Sequence, residues 1–225
     1  PVKVLANNGA GTTMWVAQGL DFAATHGASV VNMSLGISID DCMVREAVAQ
    51  AYAAGCTIVA ASGNGGGGGT LAYPAQYEEV IAVGSVGSTG VVSSFSQYGS
   101  ALDVVAPGEV IYSTAMGGGF STCPPNCTAQ ANCCGTSYAA PFVSGICALV
   151  LGDFPGIKPW EVEAFVRDHT RNTDGIPAGQ AGNKDGYGLV SFGSLKDFSN
   201  GTLAAAWSNY DFYEWLGADV TGESS

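Results

Sequence analysis

Three short runs of almost unbroken apolar or small residues, Ser29–Met33, Thr57–Ala61 and Val80–Ser85, are separated by longer stretches. Apolar residues recur at helical spacing in the stretch before the first run and in the one between the first and second, while a loop with five consecutive glycines leads to the third. This alternation constrains the chain more than any other feature. A continuous apolar run has no polar face to offer water, so a strand built from it must be covered on both sides. Helices placed between successive strands supply that cover, through right-handed crossovers that leave the strands parallel. The expected class is α/β.

The local signals agree with that class. Val2–Leu5 reads as a further short strand. Thr12 or Thr13 can cap a helix carrying Val16, Leu20 and Ala23, which Gly27 ends. After a loop at Ser34–Ile39, Asp40 or Asp41 can cap a second helix with Val44, Ala47, Val48 and Ala51 inward, closed by Gly55. Leu102–Val105 and Val110–Ser113 read as strands around a Pro107-Gly108 turn. A long apolar helix is expected from Thr136 to Leu151, with Pro141 close enough to its start to be tolerated. Pro159 opens another, carrying Val162, Phe165 and Val166. The pattern weakens after Phe192, which divides the chain into a domain portion, 1–193, and an extension, 194–225. Trp207, Tyr210, Phe212, Tyr213 and Trp215 among acidic and small residues read as a packing extension, with a docking segment as the alternative.

Charge and cysteine content narrow the setting. Seven Lys+Arg against nineteen Asp+Glu give a formal charge of −12, which repels nucleic acid and anionic membrane surfaces. The longest uninterrupted apolar run, Ile146–Leu151, is too short to cross a bilayer, so membrane insertion is not expected. The first residues lack the basic flank and apolar stretch of a signal peptide and read as a strand entered midway through a domain. Cys42, Cys123, Cys127, Cys133 and Cys134 lie in polar or turn-rich segments suited to disulfides, which points to a secreted or extracellular protein. Cys56 and Cys147 read as small buried hydrophobes. The neighbours Cys133 and Cys134 are not expected to bridge each other. A zinc site at Cys123–Cys134 is the competing reading, and it lacks a nearby His or a second Cys-x-x-Cys pair.

The chemistry concentrates in Gly135-Thr136-Ser137-Tyr138-Ala139-Ala140-Pro141 and the residues up to Gly145. A serine stands here at the mouth of a helix, where free N–H groups and a partial positive charge can steady an oxyanion. Glycine at 135 lets a substrate backbone approach. A plain helix cap is the alternative for Ser137. The G-x-S-x-G elbow is ruled out, because Ala139 replaces its second glycine.

This segment resembles the G-T-S-x-A-x-P signature of the subtilisin-like serine proteases. Three more blocks resemble the same family in the same order: Val30–Gly36, Ala60–Asn64, and Phe95–Gly99 with Asp103–Gly108. The resemblance runs from Val2 to about Phe192. It implies a three-layer α/β fold, with a mostly parallel sheet between helices and the N-terminal part of the domain outside this chain. Ser137 would be the nucleophile, and Asn64 an amide donor to the oxyanion. Ser34, Leu35 and Gly36 would pair with an extended polypeptide substrate. Ala61, Ser62 and Gly63 would form the facing wall of a pocket that, beside the uncharged Gly65–Gly69, has broad or apolar preference. No cofactor is required. Calcium or a monovalent cation is at most a structural addition, for which a place near Tyr77 and Asp103 is the family analogy. Asp103 itself is expected to fix a turn.

A serine mechanism also needs a base and a carboxylate to orient it. The family carries both ahead of the point at which this chain starts, the His in an H-G-T-H motif that is not present here. His26 and His169, at helix ends, read as structural. The expectation is a serine endopeptidase whose Asp and His come from an upstream segment, the chain alone being almost inactive. The alternative is a non-catalytic, subtilase-like assembly component of a secreted complex. A sedolisin-type protease shares the G-T-S motif, yet it would place an Asp where Asn64 stands. A secreted adhesion module would use the aromatic tail. The Cys- and Pro-rich loop between Thr114 and Gly135 reads as a stapled surface loop. Of three glycosylation patterns, Asn32-Met33-Ser34 lies on a strand read as buried and should be unmodified. Asn126-Cys127-Thr128 and Asn200-Gly201-Thr202 suit glycans in a secreted eukaryotic protein.

Overall fold

The computed structural model describes residues 1–114, 118–120, 133–180 and 182–191. Six strands form one sheet: β1 (Val30–Met33), β2 (Thr57–Ala61), β3 (Val80–Val86), β4 (Val104–Pro107), β5 (Thr170–Arg171) and β6 (Leu189–Val190). Their order is β1-β2-β3-β4-β6-β5, every pair parallel except β5 with β6. Four helices complete the fold: α1 (Thr13–Thr25), α2 (Cys42–Ala53), α3 (Thr136–Asp153) and α4 (Pro159–Asp168).

The strand alternation sorts side chains between two cores. Ile58, Ala60, Val80, Ala82 and Val105 face α1 and α2, where Val16, Leu20, Val44 and Val48 meet them. Val59, Ala61, Ile81, Val83 and Val104 face α3 and α4, against Ala139, Val143, Ile146 and Val162. Every residue of β2, β3 and β4 is buried. Each fully buried Val or Ile contributes about 1.5–3 kcal/mol relative to exposure, so the central strands supply much of the apolar stabilisation.

Side-chain caps start the first two helices as expected. The Thr12 hydroxyl accepts from the Trp15 N–H at 3.3 Å, and Asp41 Oδ1 accepts from Met43 and Val44. Gly27 and Gly55, both at positive φ, end them. Helix α3 has the length and mean hydropathy to cross a membrane by composition, which no single run within it suggested. Its buried residues Thr136, Ala139, Ala140, Val143, Ile146, Cys147 and Val150 follow the helical period and pack on the sheet and α4, which makes it a core helix.

Several expectations are corrected. Val2–Leu5 is not a strand: it lies along α1, where Val4 Cγ1 sits over Gly19, and borders a cavity of about 430 Å³ with Trp15 and Phe22. Strand geometry needs a laddered neighbour, and β1, at the sheet edge, does not pair with it. Val110–Ser113 is not a strand either, because Val110 adopts φ 56 and its N–H goes to Cys134 Sγ at 3.3 Å. Asn32 is exposed, since β1 is an edge strand and not a buried one. Cys42 is a free, exposed thiol at the start of α2. Cys56 and Cys147 are free and buried, and burial pushes the Cys147 thiol up to about 12. The two-residue strands β5 and β6 are too short to leave a periodic signal. Cys123, Cys127, Asn126, Asn200 and the 194–225 extension lie outside the described residues.

Asp103 does more than fix a turn. Its buried carboxylate accepts from the Ala82 N–H of β3 at 2.7 Å and pairs with Arg167 of α4. Arg167 also pairs with Glu163 and stacks over the Tyr187 ring. Burial raises the Asp103 carboxyl above its ordinary range, against the opposing pull of Arg167 and the Ala82 N–H. It raises Glu163 likewise. Removing the shared cation strands two buried carboxylates, so Arg167→Ala should lose about 3–5 kcal/mol in chemical denaturation at neutral pH. Both carboxyls have folded-state values above their unfolded ones, so protonation favours the folded state. The deficit should therefore shrink as the pH falls through the acid range, and a pH series of unfolding midpoints checks this.

Candidate active site

Three loop ends meet above the carboxyl edge of β1 and β2, the place where parallel sheets gather ligand-binding residues. β1 delivers Ser34, β2 delivers Ala61–Asn64, and the start of α3 delivers Gly135, Thr136 and Ser137. Of these, Ser34, Ala61, Gly63, Asn64, Thr136 and Ser137 line a cleft of about 550 Å³ together with Leu35–Ser38, Thr70–Ala72 and Gln97.

Ser137 is the second residue of α3, so its N–H belongs to the first turn, where no intrahelical acceptor exists. The N-cap, Gly135, has φ 153 and contributes no side chain. A Cβ placed there would lie 3.1 Å from Ser137 Oγ and 3.2 Å from Asn64 Nδ2. The hydroxyl and the amide thus border one small space, which only glycine leaves open.

Asn64 is oriented by its neighbour across the cleft. Its Oδ1 accepts from the Thr136 N–H at 2.8 Å and from the Thr136 hydroxyl at 2.9 Å. Both acceptor directions are thereby used, and the amide NH₂ is turned toward Gly135. The fully buried Thr136 hydroxyl in turn accepts from the Gly63 N–H at 3.2 Å. Thr136 was not among the residues expected at the site. Its motif places it beside Ser137, whereas the bond that matters reaches a residue 72 positions away.

Pro141 has a specific local consequence. It lacks the N–H that would bond the Ser137 carbonyl one turn back. The Ser34 hydroxyl donates to that carbonyl instead, at 2.8 Å. Ser34 accepts from Asn32 Nδ2 at 2.9 Å, and Asn32 Oδ1 accepts from the Ser144 hydroxyl at 3.0 Å. A side-chain chain from β1 thus replaces the missing backbone bond and holds the first turn of α3.

The other expected residues divide. Leu35, Gly36, Ala61 and Gly63 line the cleft. Ser62 is fully buried behind the wall, with its N–H given to Val83 and its carbonyl taken by Ala72. Both histidines lie elsewhere, in one repeated arrangement. His26 stacks on Phe22 with Nδ1 at 2.8 Å from the Phe22 carbonyl, and His169 stacks on Phe165 with Nδ1 at 2.7 Å from that carbonyl. Each closes the C-terminal turn of its helix, as a structural reading requires. Among the described residues no group of three His, Cys, Asp or Glu side chains gathers around a metal-sized space. Tyr77 OH donates to Asp40 and to the Asp41 carbonyl, while Asp103 is held by Arg167 and Ala82.

The described geometry has close relatives. The sequence pattern of the subtilase family, Peptidase_S8, matches residues 1–189. Alkaline elastase YaB of Bacillus sp. (strain YaB) is 40% identical over 192 residues, covering 84% of this chain and 46% of the elastase. Subtilisin DY of Bacillus licheniformis is 41% identical over 164 residues, covering 72% of this chain and 56% of its own length. The chain therefore spans about half the length of these curated relatives. Among solved structures, a cold adapted subtilisin-like serine proteinase superposes with a TM-score of 0.71 at 30% identity, over 84% of this chain and 64% of that one. Sphericase superposes with the same score at 28% identity, over 84% and 66%. Four ordered motifs, a parallel sheet bearing a serine at a helix mouth, and these matches have one account: the chain belongs to the subtilase family of serine proteases.

Proposed function

We propose that this chain is the serine-bearing portion of a subtilisin-type endopeptidase, and that Ser137 forms the acyl-enzyme. The observation carrying this reading is the shared space at Gly135, bordered by the Ser137 hydroxyl on one side and the Asn64 amide on the other. A peptide carbonyl entering there receives Ser137 Oγ at carbon while a His base takes the hydroxyl proton. The negative oxygen accepts from Asn64 Nδ2 and from the Ser137 N–H. Collapse breaks the C–N bond, the His returns its proton to the leaving amine, and water later releases the acyl group. No cofactor enters these steps.

The His and its orienting Asp come, in this reading, from a segment preceding Pro1. Its support is the outer edge of β1, which no strand among the described residues pairs, the exposed Asn32 there, and the apolar trough of Val2–Ala6, Trp15 and Phe22. The commitment of His26 and His169 to helix ends supports it too. The substrate is a polypeptide lying extended along Ser34–Gly36. The next residue, Ile37, exchanges both its backbone bonds with Tyr73, so added pairing stops there. Secretion fits the acidic surface and the cysteine content. Cys133 and Cys134 are buried and neither is a free thiol, which supports cross-links to the Cys-rich loop before them. Glycans at Asn126 and Asn200 belong to the same reading.

A fluorophosphonate probe should label the complete protein at Ser137 and leave Ser137→Ala unlabelled; label surviving that substitution removes Ser137 as nucleophile. Asn64→Ala should lower kcat by ~10²–10³ with KM little changed, a magnitude taken from the oxyanion asparagine of subtilisin itself. Gly135→Ala fills the space between hydroxyl and amide and should be at least as damaging to kcat, with labelling also lost. The isolated chain should leave casein uncleaved. Serine-dependent cleavage by the chain alone would mean that a base lies within it.

A further inference from the structure

Two segments that line the cleft, ending at Asn64 and beginning at Thr70, are joined by a loop of five consecutive glycines, Gly65–Gly69. Such a run carries more backbone freedom than any other five residues would. Gly66, Gly67 and Gly69 adopt positive φ, so the loop's path itself calls for glycine. Left alone, a segment of this kind would give the cleft no fixed width. Backbone bonds hold the loop at its outer part and base, and one side chain ties its two ends together.

Gln97 spans the mouth of the glycine loop. Its Oε1 accepts from the Gly65 N–H at 3.1 Å, and its Nε2 donates to the Thr70 carbonyl at 2.8 Å. Its own backbone N–H donates to the Gly63 carbonyl at 3.0 Å. One carboxamide thus joins the residue following Asn64 to the residue preceding Leu71-Ala72, the two segments forming this side of the cleft. The side chain also occupies the space in front of Gly63, where a Cβ would overlap Gln97 Oε1. Flanking rungs run from Gly66 to the Phe95 carbonyl and from Gly69 to the Tyr98 carbonyl, both at 2.8 Å. They anchor the loop's outer part; at its neck the Gln97 carboxamide stands beside one backbone bond, from the Ala72 N–H to the Ser62 carbonyl at 2.8 Å.

We propose that Gln97 is a specificity-determining residue: by clamping Gly65 to Thr70 it sets the width of the pocket for the substrate side chain before the scissile bond. The proposal rests on the peptidase reading above. Gln97 touches neither the Ser137 hydroxyl nor the Asn64 amide in any hydrogen bond, so its loss acts on binding of the substrate side chain rather than on the oxyanion. In the complete protein, Gln97→Ala should raise KM about tenfold for tetrapeptide anilides with kcat within about twofold, the pattern of lost uniform binding. Its discrimination among Ala, Leu and Phe before the scissile bond should flatten. Hydrogen exchange of the Gly65–Gly69 amides should quicken while that of β2 and α3 stays unchanged. Gln97→Met, which keeps the bulk and loses both amide bonds, should behave as Gln97→Ala does.

Unchanged exchange in Gln97→Ala would overturn the clamp whatever the activity. A wild-type KM and side-chain preference in either variant, or a fall confined to kcat, would overturn the role in specificity. If the complete wild-type protein neither cleaves the anilides nor takes the fluorophosphonate label, the peptidase reading fails and the proposal falls with it. That outcome is told apart from a failed clamp by the missing label.

Discussion

The paired hydrogen bonds from Thr136 to Asn64 Oδ1 are the contact on which the site depends. They join the end of a central strand to the first turn of α3, and in doing so they fix the rotation of a side chain otherwise exposed at a loop. Polar groups that orient one another in this way need a rigid base. Here the base is the apolar contact of α3 with β2 and β3, through Ala139, Ala140 and Val143. Packing brings the two pieces together, and Thr136 decides how they face.

The proline in α3 shows the same division of labour. A helix interrupted at its sixth residue loses a backbone bond at the carbonyl of the serine itself. An unpaired carbonyl there would cost about 1–3 kcal/mol if shielded from water. Ser34 removes that cost and, with Asn32 and Ser144, ties the edge strand to the helix. The site is thus held at three points, by β1, β2 and α3, none of which is adjacent to another in the chain.

Much of this was legible in the residues. The limits of β2 follow from an apolar run bounded by Gly55 and Ser62, and the caps at Thr12 and Asp41 follow from side chains that satisfy helix N–H groups. That Gly135, Ser137 and Asn64 come together at one space was legible because their motifs stand in family order. What the sequence did not disclose was partnership at a distance. Thr136, Gln97 and Ser144 look ordinary in their own segments, and their meaning comes from partners 27 to 112 positions away. Val2–Leu5 misled for the opposite reason: a strand-like pattern says nothing about whether a neighbouring strand exists to pair with it. Asn32 misled in the same way, because an apolar neighbourhood in sequence does not distinguish an edge strand from an interior one.

The two-sided burial of the central strands has a consequence for how their alignment is chosen. Where one face meets water, sliding a strand by a single residue exposes its whole apolar set. A slip of β2 would only exchange Ile58 and Ala60 with Val59 and Ala61 between two oily layers, which penalises misalignment weakly. The discriminating force must then sit at the strand ends, where polar partners tolerate no offset. Asn64 against Thr136, Asn32 against Ser144, and Asp103 against the Ala82 N–H serve as registration marks for β2, β1 and β4 respectively. The bonds at Asn64 and Asn32, which hold the cleft, therefore also tell β2 and β1 which of their near-equivalent alignments to adopt, and the Asp103 bond does the same for β4 away from the cleft.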